Sequence, residues 1–182
     1  MSSQELPSPV ISLLKSAKYV HLATATKDGI PEVTLMNYHY LPSSELPSSC
    51  KASVSNKSYI LLSSEKSVQY FNILQNPNVS LLLHDWTVAK SLNKQEDEAK
   101  SDLFKLLQNL NQKELSQLSA TLSGKASVVK DSNDLQFFRN ILLKENPEAK
   151  IYIEGDNNAI ILVEITKFKV CDYQNNQTTY DL

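Results

Sequence analysis

The stretch YILLSSEKSVQYFNILQNPNVSLLL, residues 59–83, decides how the chain is read. Four apolar residues in a row, Tyr59 to Leu62, read as a strand from Ser58 to Leu62 or slightly beyond. Two serines, Glu65 and Lys66 follow. Val68, Phe71 and Leu74 then recur at helical spacing, so a short helix is expected over 65–75 with those three side chains on one face. Pro77 stops the helix, and a second apolar run starts at Asn78 and is expected to reach Val88 as a strand. A plain link between strands needs only Gly, Asn or Pro. A helix led by hydroxyls and a lysine asks for a further reason, and two are open. Ser63, Ser64 and Ser67 suit helix capping, in which a side-chain oxygen accepts from the first free N–H groups. The same N–H groups, with the hydroxyls and Lys66, suit an anion such as a phosphate.

Working outward from that stretch, Pro7 and Pro9 precede VISLLKSA, whose Val10, Leu13, Leu14 and Ala17 share one helical face. Residues 19–26 are rich in β-branched and aromatic side chains. Lys27-Asp28-Gly29-Ile30 is a hairpin turn, and residues 31–41 return as its second strand. Residues 42–57, with two Pro and several Ser, read as an exposed loop. A charged, Leu-bearing helical insertion is expected over 94–118, a strand over 119–130, and a helix over 133–144 with Leu135, Phe138 and Leu142 inward. Residues 151–154 and 159–172 read as a closing hairpin around Gly155. In its second arm Ile161, Val163 and Ile165 alternate, then parity shifts to Phe168 and Val170, which places a bulge near Thr166. After it comes a polar tail. The expected architecture is mainly β with flanking helices: one domain over 1–182, built on a six- or seven-stranded antiparallel β-barrel.

Composition removes several functions. The chain has 182 residues and a net charge of −2, so no nucleic-acid footprint is present. Of its 18 basic residues only Arg139 is an arginine, the residue from which bidentate anion clamps are built. Three glycines cannot furnish a dinucleotide fingerprint or a P-loop. Cys50 and Cys171 have no metal or disulfide spacing and read as free thiols. His21, His39 and His84 are far apart in sequence and read as structural strand residues, so no metal is expected. No apolar run suits a signal peptide or a membrane span, and the default expectation is the cytoplasm, with nuclear entry open.

Taken in order, YVHLATATKDGIPEVTLMNYHYL, YILLSSEKSVQYFNILQNPNVSLLL and TLSGKASVV resemble the pyridoxamine 5′-phosphate oxidase-like family of FMN-binding split barrels. The family's strand with its D-G-x-P turn, its N-P helix end and its G-x-A-x-V strand are each similar to what stands here. The resemblance implies FMN across the interface of a homodimer. The strand after D-G-x-P would contact the flavin through Thr34, Leu35, Met36, Asn37 and Tyr38. The next strand end and helix start would contact flavin and phosphate through Leu62, Ser63, Ser64, Lys66 and Ser67. Counting back from Asn-Pro, the family's phosphate lysine falls on Gln69, and the arginine often found in the ring strand falls on Thr34. The implied activity is a flavin-dependent oxidoreductase with a small-molecule substrate that the residues do not specify. The substrate-phosphate arginines of true pyridoxamine-phosphate oxidases have no counterpart, so that activity is not expected. The alternative is a flavin-free split barrel that binds haem or a protein partner. Leu35 and Met36 beside Tyr38 and Tyr40 exceed what one small barrel interior absorbs, which independently suggests a second copy.

Overall fold

The computed structural model describes residues 6–47, 49–50, 57–84, 118–172, 174 and 176–182. Most of the expected 94–118 insertion, and the end of the fourth strand beyond His84, lie outside the described residues. The described elements run α1 (Ser8–Ser16), β1 (Tyr19–Ala25), β2 (Pro31–Pro42), β3 (Ser58–Glu65), α2 (Val68–Gln75), β4 (Asn78–His84), β5 (Ser119–Val128), α3 (Ser132–Glu145), α4 (Lys150–Glu154), β6 (Asn158–Cys171) and β7 (Gln177–Asp181). Short 3-10 turns occupy Ser43–Glu45 and Pro147–Ala149.

All neighbouring strands pair antiparallel in the order β3-β2-β1-β4-β5-β6-β7, and β3 also pairs β6. That last pairing closes six strands into a barrel and leaves β7 outside it. The β1–β2 turn needs Gly29 at φ 85°, a conformation that L side chains rarely adopt. The bulge falls where the parity shift places it. Ser123 pairs Lys167 and Gly124 pairs Ile165, so Thr166 is the extra residue, and its hydroxyl donates to the Ser123 carbonyl at 3.2 Å. Gly124 sits opposite; a Cβ there would lie 2.4 Å from the Glu164 carbonyl oxygen.

The unbroken apolar run of β3 is explained by cores on both of its faces. Ile60 and Leu62 point into the barrel with Leu22, Tyr38, Leu81 and Phe168. Tyr59 and Leu61 point outward into a second core, beneath Phe138 and Leu142 of α3 and Ile153 of α4. Three expectations need correction. Residues 151–154 form a helix rather than a strand. Residues Asn158 to Glu164 of β6 pair β3 on one edge, and β5 takes the other edge from Ile161 onward, which leaves little edge for a further strand. The polar tail supplies β7, which pairs β6 over Lys167 to Cys171, beyond the reach of β3, and stacks Tyr180 on Phe168 with centroids 4.5 Å apart. Lastly, β3 continues to Glu65 and α2 begins only at Val68. That helix buries Asn72 and Ile73, while Val68, Phe71 and Leu74 remain about half exposed. Of the apolar residues expected in excess on β2, Met36, Tyr38 and Tyr40 are absorbed by the core and Leu35 is exposed.

Candidate functional site

Where β3 ends and α2 begins, the barrel opens into a cleft of about 440 Å³. One wall is β2 from Thr34 to Asn37, with Tyr19 beside it because Tyr19 pairs Asn37 in the sheet. A second wall is Ser63, Ser64 and Glu65 at the end of β3, followed by Ser67 and Gln69. The third comes from the second core: Leu142 and Asn146 where α3 ends, then Ala149, Tyr152 and Ile153. The volume is in the range of small-molecule sites.

The corner between β2 and α2 is a chain of neutral hydrogen bonds. The Ser67 hydroxyl donates to the Gln69 side-chain oxygen, and the Gln69 amide nitrogen donates to the Thr34 hydroxyl oxygen. Ser67 therefore holds Gln69 rather than capping α2, whose first turn carries no side-chain cap. Ser63 donates to the Tyr152 carbonyl at 2.6 Å, which pins α4 to β3. Ser64 donates to the Glu65 carbonyl at 2.9 Å.

Two buried oxygens in the cleft walls are unsatisfied. Asn146 is fully buried, and its side-chain Oδ1 has no hydrogen-bond partner. Its Nδ2 donates to the Tyr38 carbonyl at 3.4 Å, and a carbonyl only accepts, so the remaining atom of the carboxamide is the oxygen. Asn37 likewise carries a buried Oδ1 without a partner. A buried acceptor left unpaired costs about 1–3 kcal/mol, so each of these two cleft residues carries an acceptor that still lacks an N–H or O–H donor.

Of the eleven residues implicated from sequence, Thr34, Leu35, Met36, Asn37, Ser63, Ser64, Ser67 and Gln69 line this cleft. Tyr38, Leu62 and Lys66 do not. Leu62 is sealed in the barrel core. Tyr38 donates its hydroxyl to the Leu14 carbonyl at 2.7 Å, tying α1 to the barrel, and burial pushes its phenol well above the ordinary value. Lys66 turns outward: its backbone N–H donates to the Asn157 carbonyl at 2.9 Å and its ammonium reaches the Asp156 carbonyl at 3.5 Å. Sequence reasoning missed Asn146, Ala149, Tyr152 and Ile153. Asn146 precedes Pro147 and reads only as the end of a helix, and the residues beyond it read as a strand. On the outer face of the sheet His21 and His84 stack with centroids 5.4 Å apart. Among the described residues no cluster of three or more His, Cys, Asp or Glu is placed to hold a metal ion.

A closed six-stranded barrel opening into a polar cleft at one strand end defines a split-barrel protein. The family model for pyridoxamine 5′-phosphate oxidase matches residues 10–168, and the chain belongs to that family. The Pyridoxamine 5′-phosphate oxidase YLR456W homolog of Saccharomyces cerevisiae is 40% identical over 194 residues, covering 98% of this chain and 95% of its own. Among solved structures, a haem-binding protein from Mycobacterium smegmatis superposes with a TM-score of 0.61 at 16% identity, over 98% of this chain and 60% of its own. An FAD-binding protein from Mesorhizobium loti superposes with a TM-score of 0.58 at 14% identity, over 93% of this chain and 97% of its own. At those identities the superpositions establish the fold alone.

Proposed function

We propose that this chain is a flavoprotein that takes FMN in the cleft and acts as a flavin-dependent oxidoreductase on a small substrate, as a homodimer with the flavin near the shared interface. The observation that carries the reading is the pair of buried, donor-hungry oxygens of Asn37 and Asn146. A flavin ring carries an N–H flanked by carbonyls, and its ribityl chain carries hydroxyls, so both donors and acceptors are available to this cleft. Met36, Leu142 and Tyr152 supply apolar and aromatic walls suited to a planar ring. When bound, flavin supplies the hydride-transfer chemistry, and the chain supplies position and electrostatics. Asn37 and Asn146 would orient the ring, the Thr34–Gln69–Ser67 corner would receive the far end of the ligand, and Tyr152 would shield one side from water.

The dimer is supported by large apolar side chains left exposed on β2 and α2. Val33 and Leu35 of β2 and Val68, Phe71 and Leu74 of α2 are all about half exposed or more. The Gln69–Thr34 hydrogen bond ties α2 to β2. Leu35 belongs to both the surface and the cleft wall, so a second copy seated there would also close the cleft. Calorimetric titration with FMN tests the reading: saturable binding that Asn146→Leu weakens about tenfold is expected, consistent with the loss of one hydrogen bond in a dry site. No heat and no flavin fluorescence change would overturn it. The second reading, a flavin-free module for haem or a protein, is favoured by Lys66 facing away from the cleft. A thermal shift with haem but not with FMN would select it.

A further inference from the structure

We propose that the cleft holds its flavin by ring and ribityl chain and gives the phosphate almost nothing, so that riboflavin binds as tightly as FMN. This rests on the flavin reading above and concerns the chemistry of one corner. Among the described residues that line the cleft there is no Lys or Arg, and the one acidic residue there is Glu65. The polar side chains of the corner are committed to one another or to backbone: Ser67 to Gln69, Gln69 to Thr34, Ser63 to Tyr152 and Ser64 to Glu65. Lys66, the cation nearest in sequence, spends its backbone N–H on Asn157 and its ammonium on Asp156.

A phosphate dianion needs charge-assisted donors, which are about twice as strong as neutral ones, and taking it from water without them is unfavourable. A neutral hydroxyl has no such requirement. It both donates and accepts, so it joins a chain of Ser, Gln and Thr groups without stranding a charge; the Thr34 hydroxyl, which accepts from Gln69, retains its own hydrogen for such a partner. The opposing effect is the uncapped first turn of α2, whose N–H groups favour an anion. That effect amounts to about two- to fivefold in binding at an exposed helix start, and Val68 leaves this one open to solvent. The Glu65 carboxylate, three residues before the helix, works against it.

The experiment compares the dissociation constants of riboflavin and FMN for the full chain by quenching of flavin fluorescence, at low and high salt. Wild-type protein should bind the two within about threefold of each other, with little salt dependence, because no screened ion pair is involved. The double variant Thr34→Arg with Gln69→Lys places two cations across the corner. It should raise the preference for FMN over riboflavin about tenfold or more, and that preference should shrink in salt. A wild-type preference for FMN of about tenfold or more that shrinks in salt would overturn the inference and leave the flavin reading standing. Binding of neither flavin would overturn both.

Discussion

Helices α2 and α3 carry the same kind of apolar pattern and meet opposite fates. In α3, Asp131 caps the first turn by accepting from the N–H groups of Asn133 and Asp134 at 2.9 and 3.1 Å, and Phe138 and Leu142 are sealed against the outer face of the barrel. Helix α2 has no side-chain cap, and it packs through Ile73 and a buried Asn72–Thr24 hydrogen bond of 3.1 Å. Its stripe of Val68, Phe71 and Leu74 faces outward. The barrel accounts for the difference. Under α3 the sheet presents Leu41, Tyr59, Leu61 and Ile160, an apolar floor that only a helix can cover. Near α2 the barrel interior is already filled, so the helix contributes little more than one aliphatic side chain and a polar bond. An apolar stripe at helical spacing thus states that a surface requires covering, without stating that the same chain covers it.

The largest test of this contrast is Phe138→Ala, which should cost about 3–5 kcal/mol in urea unfolding, because it empties a fully buried site. The matching change in α2, Phe71→Ala, should cost a dissociated chain under about 1 kcal/mol, since half of that ring already meets water. Equal losses at the two positions would break the comparison. Phe71→Glu sharpens it: light scattering should show a dimer for wild type and a shift towards monomer for the variant, with the far-UV spectrum unchanged. A wild-type monomer at micromolar concentration would remove the partner from the account.

The smallest effect concerns the capped end of α3, where Asp134 accepts from the Ser49 hydroxyl at 2.6 Å and the Cys50 thiol at 3.2 Å. Burial first, and the Asp134 carboxylate second, push the Cys50 thiol above its ordinary value. The associated stability is present in full below the ordinary thiol pKa and is lost as pH rises through the elevated one. Alkylation of Cys50 should therefore be slow at neutral pH and quicken only at alkaline pH, whereas Asp134→Asn should quicken it several-fold at neutral pH. An alkylation profile identical to that of an unfolded thiol would contradict the contact.

Much of the barrel was legible because its signals are local or periodic. The Asp-Gly turn, the run Tyr59 to Leu62 and the parity slip at Thr166 each report a backbone fact that no distant residue alters. Residues 151–154 were misread because IYIE suits a strand as well as one helical turn, and what excludes the strand is the pairing of β6 on both edges. Strand β7 was hidden because its partner is a short free edge and its residues are polar. The cleft-lining stretches of β2 and β3 were accessible through the family resemblance, since each is a continuous run of one strand. Asn146 and Tyr152 were not, because they reach the cleft only through the packing of α3 and α4 on the barrel. Lys66 shows the opposite limit: position near a site does not aim a side chain, and the Asp156 and Asn157 carbonyls draw it away.

The most direct test of the central claim, that this cleft is a flavin site completed by a second copy, is a crystal structure of the full chain grown with FMN. The account predicts flavin density in contact with Asn37 and Asn146, its ribityl end at the Thr34–Gln69 corner, and Leu35 and Phe71 buried against a two-fold-related chain. Flavin density elsewhere, or an empty cleft in crystals whose protein is saturated with FMN, would contradict it.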